Sequence, residues 1–345
     1  MSGMPIPMTV LVVMIPAYNE EPTIGHVIRE VPRQITGVDR VLVLVIDDGS
    51  RDRTAQLARE AGADFVLTHK GNRGLAETFR DGLDAALSLG ADVIVNTDAD
   101  NHYDQTRIPE LVAPVLAGEA DIAIGSRPIG GLTEMSFIRR WGNRVASMVF
   151  RFLYGLPPDT DISSGFRAYS RHAALRLSIT SKYTYTHESL ISAVDQRLKI
   201  VSRLIPARNV TRPSRLMPNV RSHILRAGSV AFMSFITHRL FRILTLLSAL
   251  LILIGGGVYV RFLYFLFTSG SAGHIQSLIA GSLLILVGVQ LLIGSFFAAA
   301  LIKNRQLIEE MLYQQRRGVY DRTQMLSPES LLDEGPVIPA ATRDL

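Results

Sequence analysis

The stretch TVLVVMIPAYNEE, residues 9–21, decides the fold. Its first seven residues form a continuous apolar, largely β-branched run, which is typical of a strand that is covered on both faces. The strand ends at Pro16, and Asn19 is a suitable N-cap for the helical sequence that follows. A buried strand that leads into a helix predicts the first unit of an α/β sheet.

The same pattern recurs along residues 41–126. Further strands are predicted at 41–46, 64–69, 91–97 and 121–126, with helices at 54–62 and 78–89. This alternation predicts an α/β fold with a Rossmann-like, mostly parallel sheet and helices on both faces. Ligands of such sheets bind at the carboxyl ends of the strands. Two acidic motifs, Asp47-Asp48 and Asp98-Ala99-Asp100, fall at such ends.

Charge is distributed unevenly along the 345 residues, although the net charge is only +5. Residues 196–308 contain no Asp or Glu and carry 13 Lys and Arg, whereas the remaining 232 residues hold 23 basic and all 31 acidic side chains. The chain therefore has an acidic part and a basic part. The lack of cysteine excludes a disulfide framework, a thiolate metal site and a cysteine nucleophile.

Two long uncharged runs lie inside the acid-free segment, at 243–260 and 275–302. An apolar helix of about 20 residues crosses a hydrocarbon core of about 30 Å, so these runs predict two transmembrane helices joined by a short hairpin connection at 268–274. Buried helices of a large soluble core are the alternative, but they normally show a polar stripe. The flanking basic residues are Arg239, Arg242, Lys303, Arg305, Arg316 and Arg317, which by the positive-inside rule place both outer ends, and the N-terminal part, in the cytoplasm.

The Asp98-Ala99-Asp100 motif has the composition of a metal site. Two carboxylates two residues apart suit Mg²⁺ or Mn²⁺ together with the diphosphate that such an ion bridges. Turn formation or N-capping is an equally compatible role for either acidic motif taken alone. Neither G-x-x-x-x-G-K-[ST] nor a G-x-G-x-x-G after the first strand is present, which disfavours a P-loop kinase or a dinucleotide dehydrogenase.

Six motifs together resemble, in order and spacing, the family 2 glycosyltransferases of the GT-A fold. They are Pro16-Ala17-Tyr18-Asn19-Glu20-Glu21, Asp47-Asp48-Gly49-Ser50, Asn72-Arg73-Gly74-Leu75-Ala76, Asp98-Ala99-Asp100, Gly125-Ser126-Arg127 and Asp161-Ile162-Ser163-Ser164-Gly165-Phe166-Arg167. The resemblance covers residues 9–216 and is greatest to the dolichol-phosphate mannose synthase and polyprenyl-phosphate hexosyltransferase branch. It implies inverting transfer of a hexose from GDP-mannose or a UDP-hexose to a polyprenyl phosphate, with Mg²⁺ or Mn²⁺ as cofactor.

The resemblance also assigns roles to residues. It places Pro16, Tyr18, Glu20 and Asp48 in the nucleoside pocket, Asp98 and Asp100 at the ribose, metal and diphosphate, and Arg127, Arg139, Arg140, Arg212 and Arg215 at phosphate groups. His102 stands where the family often has Gln, and its imidazole can ligate Mn²⁺. The alignment leaves open which arginine of 139–147 takes which role. Glu188 lies where more distant members carry a catalytic carboxylate; a positioning role and simple solvation on a helix surface are both compatible with it.

The chemistry of these residue types agrees with the resemblance. A phosphate monoester acceptor is already anionic near neutral pH, so it needs arginines that orient it more than it needs a general base. The leaving nucleoside diphosphate needs its charge neutralised, which a metal at Asp100 would supply. The basic residues Arg197, Lys199, Arg203, Arg208, Arg212, Arg215, Arg221 and Arg226 are expected to form a cationic approach to an anionic lipid surface.

We therefore expect a cytoplasmic GT-A catalytic domain (1–220), an amphipathic juxtamembrane helix (221–242), a two-span hairpin (243–302) and a cytoplasmic tail (303–345), in a bacterial cell membrane. Residues 314–345 are polar and proline-bearing, which is typical of disorder. A different lipid or glycan acceptor, or a non-catalytic nucleotide-sugar-binding protein, are the alternatives. Two spans and the lack of a QxxRW-like motif disfavour a processive synthase, and the spans and the acidic N-terminal part disfavour nucleic-acid binding. A homo-oligomer is left open.

Overall fold

The computed structural model describes residues 8–127, 155–157, 159–179, 185–208, 220–269 and 275–324; for 220–240, 269 and 322–324 it describes the backbone alone. The chain divides into two compact units. The first, here called the sheet unit, comprises Met1–Ile224 and Leu312–Leu345, and the second, the hairpin unit, comprises Leu225–Met311.

The sheet unit is built on a seven-stranded sheet, as the alternating pattern predicted. Its strands are β1 Val10–Ala17, β2 Arg40–Asp47, β3 Phe65–Thr68, β4 Val93–Asn96, β5 Ile122–Ser126, β6 Arg167–Ser170 and β7 Ile200–Leu204, in the order β3-β2-β1-β4-β6-β5-β7. All neighbours are parallel except β6, which is antiparallel to both β4 and β5. The prediction of a mostly parallel sheet is confirmed; β6 and β7 were not predicted.

The helices of the sheet unit cover both faces of the sheet. They are α1 Ile24–Glu30, α2 Thr54–Glu60, α3 Leu75–Ser88, α4 Ile108–Leu116, α5 Arg171–Arg176 and α6 Tyr185–Asp195. All eight residues of β1 are buried, which explains its uninterrupted apolar sequence. Leu11 and Val13 belong to the core that α1 and α4 complete, whereas Met14 faces α3, where a Cβ on Gly82 would lie only 3.3 Å from its sulfur.

Two helices of 50 residues each contain the predicted membrane spans. They are α7 Val220–Ser269 and α8 Ile275–Gln324. By length and composition, Phe241–Thr268 and Ile275–Asp321 can each cross a membrane, with a mean hydropathy of 2.4 in the most apolar window of each. Large apolar side chains such as Leu253 and Phe267 are exposed, at 74% and 85%. The backbone of 221–242 is helical, while its amphipathic character stays a prediction.

Small residues bring the two helices of the hairpin unit into close contact. Ser248 and Gly255 of α7 face Gly288 and Gly281 of α8, seven residues apart on each helix. The Ser248 hydroxyl donates to the Gly288 carbonyl at 2.8 Å, and a Cβ on Gly255 would lie 3.0 Å from the Gly281 carbonyl oxygen. Because contacts run to lower numbers on α8 as they rise on α7, the helices are antiparallel. Small residues at such a contact allow the close backbone approach that stabilises helix pairs in lipid.

Gly255→Ala is expected to weaken this helix pair, because the new methyl group would meet Ile285 at 2.8 Å as well as the Gly281 carbonyl. Gly256→Ala is the matched control, since nothing lies within 4 Å of its Cβ position. It should be neutral or stabilise the helix by up to about 1 kcal/mol. Thermal unfolding of both variants in lipid nanodiscs measures the difference. Equal unfolding temperatures for the two variants would contradict the assigned interface.

The prediction that residues 314–345 are disordered is wrong for 314–324, because α8 continues to Gln324. Tyr320 is fully buried and Tyr313 nearly so. Arg316 donates to the carbonyl oxygens of Leu175 and Leu177 at the end of α5. These contacts lie within the sheet unit, and they order a polar sequence that composition alone assigned to a loose tail.

Candidate active site

The carboxyl edge of the sheet gathers the predicted motifs. The loops that follow β1, β2 and β4 lie side by side there, since these strands are parallel and adjacent. Arg127 directly follows β5 at the same edge. Strand β6 runs in the opposite direction, so its beginning lies at this edge and brings the segment 159–166 beside the other loops. The antiparallel insertion of β6 therefore completes the site.

The loops after β1 and β2 are fastened to each other. Asn19 adopts a left-handed conformation with φ of 54°, and its N–H donates to the Ser50 hydroxyl at 2.9 Å. Its side-chain oxygen accepts from the Arg51 N–H at 2.9 Å, so Asn19 joins the two loops and does not cap α1. Tyr18 is 39% exposed at this edge. The nucleoside-pocket roles of Pro16, Tyr18 and Glu20 stay predictions.

Asp48 is buried and already has three hydrogen-bond partners within the protein. Oδ1 accepts from His69 Nδ1 at 2.9 Å and from the Arg73 N–H at 2.8 Å, and Oδ2 accepts from the Gly74 N–H at 2.9 Å. A carboxylate has about four acceptor positions, so the predicted nucleoside contact of Asp48 has little room beyond these bonds. Burial acts to raise the pKa of Asp48, but the hydrogen bonds from His69, Arg73 and Gly74 outweigh it and lower the pKa.

His69 is held between two carboxylates, since its Nε2 lies 3.1 Å from Asp81 Oδ2. The hydrogen bond to Asp48, followed by the interaction with Asp81, raises the pKa of His69 from 6.5 to about 9. The imidazole is therefore charged at neutral pH. Its charge ties the segment after β3 to the loop after β2 and to α3.

Stability should therefore depend on pH through His69. Because the pKa of His69 is higher in the folded than in the unfolded protein, the charged imidazole stabilises the fold. This contribution is fully present below pH 6.5 and is lost as the pH rises through about 9. Compared with wild type, His69→Gln should be less stable by at most about 3 kcal/mol at low pH, with the gap narrowing toward pH 10. Thermal unfolding between pH 6 and 10 measures the gap, with His26→Gln as a surface control. A gap that stays constant with pH would contradict the charged state of His69.

Asp98 and Asp100 differ in environment although they are two residues apart. Burial first, and the nearby Asp100 second, raise the pKa of Asp98 to about 7. Burial also acts to raise the pKa of Asp100, but the hydrogen bond with His102 outweighs it and lowers the pKa. His102 Nδ1 lies 2.7 Å from Asp100 Oδ2. The pair therefore combines a carboxylate that is costly to ionise with one that is stabilised as an anion.

Three groups that sequence reasoning had not assigned lie around Asp98. Gly165 lies so close that a Cβ there would be 2.7 and 2.8 Å from the two Asp98 oxygens and 2.8 Å from the Tyr185 hydroxyl. Asn96 donates to the Gly165 carbonyl at 2.6 Å and to Tyr185 Oη at 2.9 Å. Tyr185 stacks on Phe79 at a centroid distance of 4.0 Å. The signals available in the sequence were a polar Asn at the end of an apolar strand and a glycine inside the sixth motif.

Arg127 lies at the edge, where its guanidinium group is hydrogen-bonded to Asp161 and Ser163. Its Nε donates to Asp161 Oδ2 at 2.6 Å and its Nη2 to the Ser163 hydroxyl at 2.8 Å. Burial acts to lower the pKa of Arg127, but Asp161 outweighs it and raises the pKa above its ordinary range. The side chain retains 26% exposure. Asp161 therefore already orients the guanidinium group for which a phosphate contact was predicted, and that contact stays a prediction.

Arg167, at the start of β6, binds to groups within the protein. It is fully buried and donates to the carbonyl oxygens of Ile162, Ser164 and Thr186 and to the Ser189 hydroxyl. These bonds attach the segment before β6 to the first turn of α6. Glu188 lies in that turn, and its positioning role stays a prediction. Arg139, Arg140, Arg212 and Arg215 lie outside the described residues.

The predicted cationic approach to a lipid surface stays a prediction, and only some of its side chains are described. Arg197, Lys199 and Arg203 are exposed. Arg208 forms ion pairs with Glu30 at 2.7 Å and Asp104 at 3.2 Å, so its charge is offset within the protein. The carboxylates come from distant parts of the sequence, which is why a count of charge along the acid-free segment could not show them.

The residues of the acidic edge fit a divalent cation in their chemistry. Asp98 and Asp100 offer the hard oxygen ligands that Mg²⁺ and Mn²⁺ prefer, and a cation beside them would offset the cost of ionising the partly buried Asp98. Within the described ranges, no three His, Asp or Glu side chains are already arranged around a metal position. A ligand role for His102 stays a prediction.

Comparison with known proteins gives the family of the chain. Residues 12–177 match the family described as Glycosyl transferase family 2. Glycosyltransferase AglJ of Haloferax volcanii is 30% identical, over 67% of this chain and 72% of that protein. The polyprenol monophosphomannose synthase of Mycolicibacterium smegmatis is 34% identical, over 49% of this chain and 64% of that protein. The chain belongs to the family 2 glycosyltransferases.

Other relatives and a solved structure extend the comparison. Further relatives have names of dolichyl-phosphate or undecaprenyl-phosphate sugar transferases. The crystal structure of Mycobacterium tuberculosis glucosyl-3-phosphoglycerate synthase in complex with Mg²⁺ and uridine diphosphate has a TM-score of 0.50 and 24% identity, covering 65% of this chain and 79% of that one. This similarity supports the fold, so the predicted GT-A architecture is confirmed.

Proposed function

We propose that the protein transfers a hexose, with inversion, from a nucleotide diphosphate sugar to a polyprenyl phosphate. The observation that carries the proposal is the Asp98–Asp100 pair at the carboxyl edge of a GT-A sheet, in a chain that also contains two helices able to span a membrane. Relatives named as polyprenol-phosphate or dolichol-phosphate sugar transferases support the acceptor class. GDP-mannose and UDP-hexoses are the donor candidates.

The residues of the edge suit this chemistry. An acceptor phosphate is already anionic, so the protein has to orient it and does not need a strong base. Arg127, which Asp161 and Ser163 hold in one orientation, offers a planar group suited to phosphate oxygens. Asp98 and Asp100 would hold Mg²⁺ or Mn²⁺, which when bound offsets the charge of the diphosphate leaving group. Arg139, Arg140, Arg212 and Arg215 are proposed as further phosphate contacts, and Glu188 as a positioning residue.

The proposed location is a membrane with the sheet unit on the cytoplasmic side. Exposed apolar side chains along α7 and α8 suit contact with lipid, and basic residues flank the outer ends of both spans, as the positive-inside rule requires of cytoplasmic ends. A bacterial cell membrane and an amphipathic juxtamembrane helix at 221–242 belong to the same proposal. This arrangement brings a lipid-linked phosphate within reach of the chain that handles the soluble donor.

A transfer assay with the full chain in nanodiscs tests the function. Labelled GDP-mannose, UDP-glucose and UDP-N-acetylglucosamine are each supplied with undecaprenyl phosphate and Mn²⁺ or Mg²⁺. Label should move from one donor into an organic-extractable, acid-labile lipid, and Asp100→Asn should reduce the rate at least about 100-fold if Asp100 stabilises the leaving diphosphate. Glu110→Gln, which changes only an exposed pair with Arg107, is the matched control and should retain activity.

The alternative functions give different results in the same assay. Transfer of label into a glycan and not into lipid would favour a glycan acceptor. Binding of donor by calorimetry without any transfer would favour a non-catalytic nucleotide-sugar-binding protein. Lipid labelling that Asp100→Asn leaves unchanged would overturn the proposed role of the acidic pair.

A further inference from the structure

Arg208 connects three parts of the sheet unit that are distant in the sequence. Its Nη1 donates to Glu30 Oε2 at 2.7 Å and its Nη2 to Glu30 Oε1 at 3.0 Å, which is a bidentate ion pair with the end of α1. Nη1 also donates to Asn101 Oδ1 at 2.7 Å, and Nη2 to Asp104 Oδ1 at 3.2 Å. Asn101 and Asp104 belong to the loop after β4, residues 97–104, which carries the Asp98–Asp100 pair.

The backbone around Arg208 contacts the same loop. The Arg208 N–H donates to the His102 carbonyl at 2.8 Å, and Ala207 pairs with Tyr103 in an isolated antiparallel bridge. The His102 N–H in turn donates to Asp100 Oδ1 at 3.1 Å. A short path therefore leads from Arg208 through the His102 peptide groups to the Asp100 carboxylate.

The hydrogen bond from Arg208 to Asn101 restrains the backbone next to Asp100. It follows Asp100 directly and has a left-handed conformation with φ of 62°, which costs energy for residues other than glycine, although Asn tolerates it better than most. Its side-chain oxygen is held by Arg208 at 2.7 Å. Fixing the Asn101 side chain fixes the direction in which the chain leaves Asp100.

The stability that Arg208 contributes is modest, because its side chain is 32% exposed and its partner Glu30 20%, and ion pairs near the surface contribute little. Yet its five bonds, counting that of its backbone N–H, end on Glu30 and on three residues of one loop. A contact network that stabilises little but fixes one loop at several points is suited to positioning.

We propose that Arg208 is a positioning residue that fixes the loop 97–104 so that Asp100 faces the donor diphosphate. The inference rests on the proposed function in taking Asp100 as the diphosphate-side carboxylate. Through its bidentate pair with Glu30, Arg208 attaches this loop to the end of α1. Loosening this attachment should lower the rate of transfer more than it lowers stability.

Two substitutions in the full chain test the proposal. Arg208→Lys keeps the charge but loses the planar fork, and Asn101→Gly removes the acceptor oxygen while accommodating the positive φ. Both should lower kcat about 10- to 100-fold, the scale expected for a displacement of the order of 1 Å at a reacting group, and both should weaken binding of UDP or GDP with Mn²⁺ in calorimetry. The unfolding temperature should stay within a few degrees of wild type.

Arg33→Lys is the matched control, because Arg33 forms a comparable ion pair with Asp64 at a site away from the loop 97–104. It should leave kcat and nucleotide binding unchanged. The proposal is overturned if Arg208→Lys and Asn101→Gly keep wild-type kcat and nucleotide affinity, or if Arg33→Lys reduces them equally. Calorimetry distinguishes a failure of this proposal from a failure of the proposed function. If the wild-type protein binds nucleotide but labels no polyprenyl phosphate, only the proposed acceptor is overturned. If it binds no nucleotide, both the proposed function and the proposed role of Arg208 are overturned.

Discussion

Gly165→Ala should lower the rate of transfer on the order of 100-fold in a protein that remains folded. The new Cβ would lie 2.7 and 2.8 Å from the two Asp98 oxygens and 2.8 Å from the Tyr185 hydroxyl, distances that carbon and oxygen do not tolerate. The φ of Gly165 is not in the left-handed region, so the backbone itself accepts alanine. The strain therefore falls on the Asp98 side chain. A displacement of about 1 Å at a reacting group costs on the order of 100-fold in rate.

The measurement is the rate of sugar transfer together with the unfolding temperature. Gly25→Ala in α1 is the matched control, because its Cβ would make only ordinary contacts, the shortest being 3.4 Å to the flexible end of Arg29. Tyr185→Phe added to Gly165→Ala removes one of the three oxygens around the new methyl group, so it should restore part of the activity. Transfer by Gly165→Ala within about threefold of wild type would mean that Asp98 does not need its observed position.

The acidic edge could be predicted because its determinants are local. The apolar runs of β1, β2 and β4 each end at a strongly polar loop, and parallel strands place such loops together. The predicted strands, and the helices predicted at 54–62 and 78–89, lie within three residues of the observed bounds. Strand β6 was missed, because four residues, Arg-Ala-Tyr-Ser, do not form a recognisable pattern. Its antiparallel direction, which brings Gly165 to Asp98, depends on the whole sheet and not on its own sequence.

The contacts that shape the site are long-range, and no pattern along the chain encodes them. Asn96 meets Tyr185 across 89 positions, and Arg208 meets Glu30 across 178. Arg208 counted as one positive charge in an acid-free segment, although three-dimensional neighbours neutralise it. In the tail, by contrast, a signal was available: Tyr313, Arg316 and Tyr320 follow helical spacing. The polar composition and the prolines further on concealed it.

Replacing Arg316 with methionine should destabilise the sheet unit by about 2 to 4 kcal/mol, slightly less than the about 3 to 5 kcal/mol expected when one partner of a fully buried ion pair is removed. Arg316 Nη2 donates to Asp84 Oδ1 at 2.6 Å, with side-chain exposures of 19% and 12%. Its Nη1 donates to the carbonyl oxygens of Leu175 and Leu177 at 3.2 and 3.1 Å. Arg316→Met would leave the Asp84 carboxylate of α3 and two carbonyl groups at the end of α5 without this partner.

The neighbouring Arg317 supplies the matched control. It is 56% exposed and lies 3.4 Å from Asp321 one turn further along the same helix, so Arg317→Met should change the free energy of unfolding by less than about 0.5 kcal/mol. Chemical unfolding of both variants measures the difference, and hydrogen exchange should show lost protection in α3 and α5 only for Arg316→Met. Equal effects of the two substitutions would mean that the end of α8 is merely attached to the sheet unit. A difference of the expected size means instead that residues 312–321 are part of its core, so that truncation after Met311 removes an element on which the fold of the sheet unit depends.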